Sequence, residues 1–186
     1  MLNIIAGTLS VGAPPAAPSS YESIATTTLG SAQSTITFSS IPSTYKHLQI
    51  RAIASASDSN IGSFLINVNS DTGSNYAWHY LYGDGATAAA GASASDGFIR
   101  VINLLGTGLA SAFSAEVIDV LDYASTSKNK TFRMLGGGDR NGSGGVHLQS
   151  GVWLNTNAIT SITFTSVSPY NFLQYTQFAL YGIKGS

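Results

Sequence analysis

Apolar and polar residues alternate with a period of two along most of the chain beyond residue 20. Ile36 and Phe38 oppose Thr35, Thr37 and Ser39, and Leu48 and Ile50 oppose His47, Gln49 and Arg51. The same rhythm sets Phe64, Ile66 and Val68 against Asn67 and Asn69, Ile162 and Phe164 against Ser161, Thr163 and Thr165, and Phe178 and Leu180 against Gln177 and Ala179. A strand turns successive side chains to opposite faces, so this pattern predicts strands that each rest one face on a core. The expected strands are 21–28, 34–40, 45–55, 62–69, 97–105, 112–122, 130–136, 145–154, 159–167 and 174–183. Each is rich in Thr, Val, Ile, Phe or Tyr and is bounded by Gly, Ser, Asn, Asp or Pro.

Helix signals are poor by comparison. Residues 75–82 (NYAWHYLY) suit a helical turn or a strand, and 86–95 has the alanines of a helix without an apolar stripe. The stretch 83–97 (GDGATAAAGASASDG) reads as the longest loop, mobile or ordered by a neighbour. The Gly-rich segment 136–145 reads as a hairpin or long loop with Asp139 and Arg140 at its tip. It lacks the Gly-Lys-Ser/Thr ending and the following helix of a phosphate-binding loop. Two segments, 35–45 (TITFSSIPSTY) and 161–170 (SITFTSVSPY), share a strand pattern and a Pro-containing turn, as equivalent strands of two sheets would. The expected architecture is all-β: an antiparallel two-sheet sandwich, jelly-roll-like, over residues 21–186. Residues 1–20 are expected to form an extended N-terminal arm, with Leu2, Ile4 and Ile5 as an apolar tip and Pro14, Pro15 and Pro18 as a stiff spacer.

Composition sharpens this picture. Only 9% of the 186 residues are charged, against roughly 25% in an ordinary soluble domain. An uncharged polar surface costs less to desolvate, which suits a subunit that is covered by neighbours. The net charge of −1 provides no basic stripe for phosphates, so nucleic acid is not an expected partner. No membrane span is expected, because no run approaches the ~18 apolar residues required. The N-terminus lacks the basic start and unbroken apolar run of a signal peptide. With no cysteines, disulfides and a thiol nucleophile are excluded.

Catalytic and metal chemistry finds little support. Glu116 and Asp122 fall on one face of a strand with Asp119 on the other, and six residues of strand put Glu116 and Asp122 about 20 Å apart. That is too far for the paired acids of a glycosidase. His47 and His147 each fall on the presumed polar face of a strand, and zinc binding by such a facing pair is a minor alternative. Asp58, Asp71, Asp84 and Asp96 lie in loops, where turn formation outweighs calcium binding. No catalytic residue, cofactor or metal is therefore expected. The alternating Tyr76, Trp78, Tyr80 and Tyr82 would share one strand face, as core, as a subunit contact or as a stacking surface for a glycan.

The runs IIAGTLSVGAPPAAPSSYESIATTTLG (4–30), ITFSSIPSTYKHLQIRAIA (36–54) and QFALYGIKGS (177–186) resemble small virion structural proteins of tailed bacteriophages; residues 56–100 carry no part of the resemblance. It implies a β-sandwich subunit of the particle, often oligomeric, with the N-terminal arm as anchor, made in the host cytoplasm and carried in the virion. It does not distinguish capsid from tail and brings no catalytic residues. The leading expectation is a non-enzymatic capsid decoration or cement protein, a homo-oligomer and most simply a trimer, in contact with the major capsid protein or tail proteins. The alternative is a tail-associated or head-fibre adhesin that binds a host glycan. The contact residues expected are the arm together with Asp139, Arg140 and the Tyr76–Tyr82 face.

Overall fold

The computed structural model describes residues 19–185, and the arm residues Leu2, Ile4, Ile5, Pro14 and Pro15 lie outside them. Period-two patterning becomes twelve strands: β1 (Tyr21–Thr28), β2 (Thr35–Phe38), β3 (His47–Ala54), β4 (Ile61–Val68), β5 (Tyr76–Gly83), β6 (Ala88–Asp96), β7 (Ile99–Leu105), β8 (Ser114–Leu121), β9 (Lys130–Asp139), β10 (Gly144–Trp153), β11 (Ile162–Ser166) and β12 (Gln177–Ile183). They form two antiparallel sheets, one of eight strands in the order β1-β12-β3-β8-β9-β10-β5-β6 and one of four in the order β2-β11-β4-β7. The protein is a β-sandwich. Without β5, β6, β9 and β10, the two sheets read β1-β12-β3-β8 and β2-β11-β4-β7. That is the eight-stranded double Greek key of a jelly roll. Two inserted hairpins, β5–β6 and β9–β10, extend one of its sheets sideways.

The core between the layers is aromatic. Phe164 of β11 stacks on Phe178 of β12 with centroids 4.4 Å apart, joining the two sheets directly. Phe64 meets Phe164, Phe172 and Phe178 edge-to-face at 5.7–6.2 Å. Phe38, Phe64, Phe164, Phe172 and Phe178 are all at most 4% exposed. Fully burying one such side chain is worth roughly 1.5–3 kcal/mol.

The edge of the small sheet is held differently. Apart from a bridge between Leu105 and Ser55 at its end, β7 pairs with β4 on one side only, so its other row of backbone groups faces the large sheet. Gln149 of β10 reaches across: its Nε2 donates to the Arg100 carbonyl at 2.9 Å, and its Oε1 accepts from the Ile102 amide at 3.0 Å. Ser114 of β8 does the same further along, accepting from the Leu105 amide at 2.8 Å and donating to the Asn103 carbonyl at 2.7 Å. Asn103 sits at φ 66°, next to the irregularity in the β4–β7 pairing. Two inward side chains thus stand in for a neighbouring strand.

Two expectations are corrected and one is narrowed. The stretch 83–97 is not a long loop, because Ala88–Asp96 forms edge strand β6 paired with β5. Its small residues hid the alternation, and the backbone pairing overrides their weak strand preference. The Gly-rich run is the hairpin of the expected alternatives, with β9 continuing as far as Asp139 and only residues 140–143 in the turn. Arg140 N donates to the Ser143 carbonyl across Asn141 (φ 60°) and Gly142 (φ 88°), both left-handed as a two-residue hairpin turn requires. Finally, the similar segments 35–45 and 161–170 are not equivalents in two sheets. Their strands are neighbours in one sheet, with Ile36 opposite Phe164 and Phe38 opposite Ile162.

Replacing Gln149 with Leu would leave the Arg100 carbonyl and Ile102 amide unpaired between the layers. We expect a loss of about 2–6 kcal/mol, one unmet group's cost counted twice, read as a lower urea midpoint at unchanged slope.

Candidate functional site

The parity of β10 decides which residues the extension shows to solvent. Trp153 is 1% exposed and packed in the core, so every second residue back from it, Gly151, Gln149 and His147, also points inward. Val146 and Leu148 must then point outward, and they are 65% and 49% exposed. The register carries this outward set across the sheet. Val117, Leu135, Leu148, Leu81 and Ala90 are direct cross-strand partners on β8, β9, β10, β5 and β6. The next row is Ile53, Ala115, Gly137, Val146, Gly83 and Ala88. Leu81 and Leu135 are each 60% exposed and Ile53 is 54% exposed. Six large aliphatic side chains therefore stand together on one open sheet face.

Polar groups border this face on one side. Arg133 Nη2 donates to Asp119 Oδ2 at 2.6 Å, and Asp119 Oδ1 accepts from Gln49 Nε2 at 2.9 Å. Gln49 Oε1 accepts from Arg51 Nε at 2.9 Å, and Arg51 lies over the Tyr181 ring at 5.2 Å. Ser150 and His79 continue the Asp119–Arg133 row. Between that row and the leucines lies a shallow depression of about 680 Å³, whose lining includes His79, Leu81, Arg133, Leu148 and Ser150.

A second polar group lies inside. Glu116, Gly136 and His147 are cross-strand neighbours on β8, β9 and β10, all turned inward. Glu116 Oε2 and His147 Nε2 approach to 3.1 Å, and both side chains are fully buried. The contact lies off the line of a good hydrogen bond, and both carboxylate oxygens and both ring nitrogens lack an aligned partner among the described residues. Gly136 makes the approach possible: a Cβ there would stand 1.8 Å from Glu116 Oε2. Burial pushes the Glu116 carboxyl above its ordinary value, partly offset by His147. Neither side chain of the pair has surface exposed to solvent.

The other expected site residues are dispersed. Tyr76 and Trp78 belong to the core at 0% and 8% exposure, so neither is available to a glycan or a partner. β5 turns its aromatic face inward because that face meets the core, and Tyr76 hydroxyl donates to the Asp71 carbonyl at 2.9 Å. Tyr80 and Tyr82 share this inward face and are half-buried, with Tyr80 stacked on Trp78 at 6.0 Å. Asp139 is exposed at the hairpin end, where its Oδ1 accepts from the Gly142 amide. Arg140 folds back instead of projecting, and its Nη1 donates to the Ser59 carbonyl at 3.3 Å. His147 is not on a polar outer face, and it does not face His47, whose Nδ1 accepts from the Asp122 amide at 2.9 Å. The loop aspartates are occupied in turns and caps. Asp58 accepts from Asn60 N, Asp84 from Ala86 N and Thr87 N, and Asp96 from Gly97 N and Trp78 Nε1. Asp71 accepts from Trp153 Nε1, Asn75 Nδ2 and Gly73 N, and its carboxyl lies below its ordinary value chiefly through Trp153. Among the described residues, no three His, Asp or Glu side chains converge as metal ligands would.

The outer face escaped sequence reasoning because Val146 and Leu148 look like core. The one usable signal is Trp153, which shares its parity with His147 and Gln149. Comparison with family models, with curated proteins and with solved structures finds no match to this chain.

Glu116 and Asp122 should titrate stability in opposite directions. With its carboxyl raised above 4.5, Glu116 favours the fold fully below that value, and the advantage is lost as pH rises through the folded value. Wild type should therefore fall behind Glu116→Gln in thermal melts as pH climbs to neutrality. Asp122 is lowered from 3.8 to about 2 by Lys128 and Lys46. Its contribution is complete above 3.8 and is lost as pH falls towards 2, so the deficit of Asp122→Asn should vanish in acid. A pH-independent difference for either variant would contradict the assignment.

Proposed function

We propose that the protein is a non-enzymatic structural subunit of a bacteriophage particle, a capsid decoration protein that strengthens the shell through subunit contacts. The observation that carries this reading is the open aliphatic face formed by Val117, Leu135, Leu148, Leu81, Val146 and Ile53. A chain with so few charges and an exposed apolar sheet face is suited to being covered. Its carboxylates support a role without bond-making: Glu116 is sealed in the interior, and Asp119 is tied to Arg133 and Gln49. A subunit that binds only the assembled shell stabilises it by mass action. The resemblance of both chain ends to small tailed-phage virion proteins supplies the setting, with the N-terminal arm as a second attachment.

The adhesin alternative has less to stand on. Tyr76 and Trp78 are committed to the core, which leaves a glycan only the half-buried Tyr80 and Tyr82.

Particles stripped of the protein should lose resistance to heat and to osmotic shock, and adding it back should restore both. Its copies, counted by quantitative mass spectrometry, should match the repeated junctions of the shell and not a single tail or vertex. Unchanged resistance after complete removal would overturn the reading.

A further inference from the structure

We infer that the aliphatic face of the large sheet is the contact between two copies of this chain, packed face to face about a two-fold axis at the level of Gly136. The inference rests on the assembly reading above and names the partner of that surface. An axis lying between two sheets and perpendicular to the strands sets each strand against its own reversed copy. On β9, position 135 then faces 137 of the second copy, and 133 faces 139.

The outward residues fit that operation. Leu135 meets Gly137, Leu81 meets Gly83 and Val117 meets Ala115, so on these three strands a large side chain stands over a small one, while on β3 Ile53 comes over the aliphatic stem of Arg51. The cross-strand register puts these residues into the two adjacent rows already described, one on each side of the Gly136 row. Val146, the most exposed aliphatic at 65%, comes over Leu148 at the rim of the 680 Å³ depression. Charge agrees as well. Arg133, which donates to Asp119 in its own chain and keeps 69% of its side chain exposed, faces Asp139, and the two-fold makes the approach twice. Asp139 is exposed and accepts only one turn amide in its own chain.

The area is that of a small interface. From β3 to β6 the sheet is about 24 Å wide, and residues 133 to 139 span about 20 Å, giving roughly 500 Å² in plan. Side chains standing on that plan expose more than its flat area, which brings the face towards the ~800 Å² per partner of a standard interface. A heterologous partner would need the same uncharged, ridged surface that a second copy already supplies.

The chain has no cysteines, so single ones report position cleanly. Arg133→Cys and Asp139→Cys chains of full length, differing in mass tag, are mixed and treated with a short bismaleimide. Cross-links should join Arg133→Cys to Asp139→Cys chains and be scarce within either variant alone, because two 133 positions lie about 20 Å apart along the strands. Sedimentation equilibrium should give a dimer, and Leu135→Asp should weaken it roughly 100-fold with an unchanged circular dichroism spectrum. A monomeric or trimeric wild type, or cross-linking equal in all three combinations, would overturn the two-fold pairing. Retention of the Leu135→Asp variant on particles separates the two ideas. If the wild type is monomeric but only the variant is lost from particles, the face belongs to the shell and the decoration reading stands.

Discussion

A strand that ends a sheet has a row of amides and carbonyls with no neighbour, and β7 ends its sheet between two layers where water cannot serve it. Gln149 and Ser114 meet that need from the opposite sheet. Much of the molecule follows from it. The large sheet must continue beyond β8 to bring a glutamine under β7, so β9 and β10 are added to the eight-stranded plan. Gln149 must point inward, and with it His147 and Trp153. Val146 and Leu148 are then forced outward by the pleat alone. The exposed aliphatic face is the geometric complement of the polar groups that hold the layers together.

The same constraint explains the glycines. Glu116 extends over Gly136 to His147, and Leu105 of β7 packs where a Cβ at Gly138 would stand 2.6 Å from it. Glycine weakens a strand interior. Here β9 is held on both sides, by β8 and β10 in continuous register, so the loss is spread over two ladders. The Glu116–His147 pair is costly to bury, and removing one partner leaves the other uncompensated. Its retention beneath β7, where an apolar pair would pack more favourably, fits a device that fixes the strand register of the inserted hairpin.

The sandwich and the eight strands of its jelly-roll plan were legible because their apolar residues alternate with hydroxyls and amides, as in β2, β4, β11 and β12. The extension was legible only in part: β9 and β10 were expected as strands over 130–136 and 145–154, while β5 stood between a helical turn and a strand and β6 read as a loop. β6 has only Ala, Gly, Ser and a terminal Asp, so no alternation exists to be read, and the glycines of β9 carry no side chain. β10 misled in a different way. Its pattern is clear, but hydrophobicity assigns Val146 and Leu148 to the core, and only the requirement for partners under β7 reverses it. Tyr76 and Trp78 were placed on one face correctly, while the face proved to be the inner one. Which way a patterned strand faces depends on what its neighbours bury, and that is not local information.

The bare edge of the large sheet differs from its face in what contact can gain there. β6 carries no lysine, no proline and no charge before Asp96, so it lacks the usual guards against edge-to-edge pairing. Its composition guards it instead. Alanine, glycine and serine have weak strand preference and offer a second strand almost no side-chain contact. Backbone hydrogen bonds gained at such an edge replace bonds already made to water, for a net gain of only about 1 kcal/mol each. The aliphatic rows on the face release water from apolar surface, which is the larger driving force. The face, where the leucines stand, is therefore the surface that gains more from being covered, and the edge, where a growing sheet would have no means of stopping, is the one that gains less.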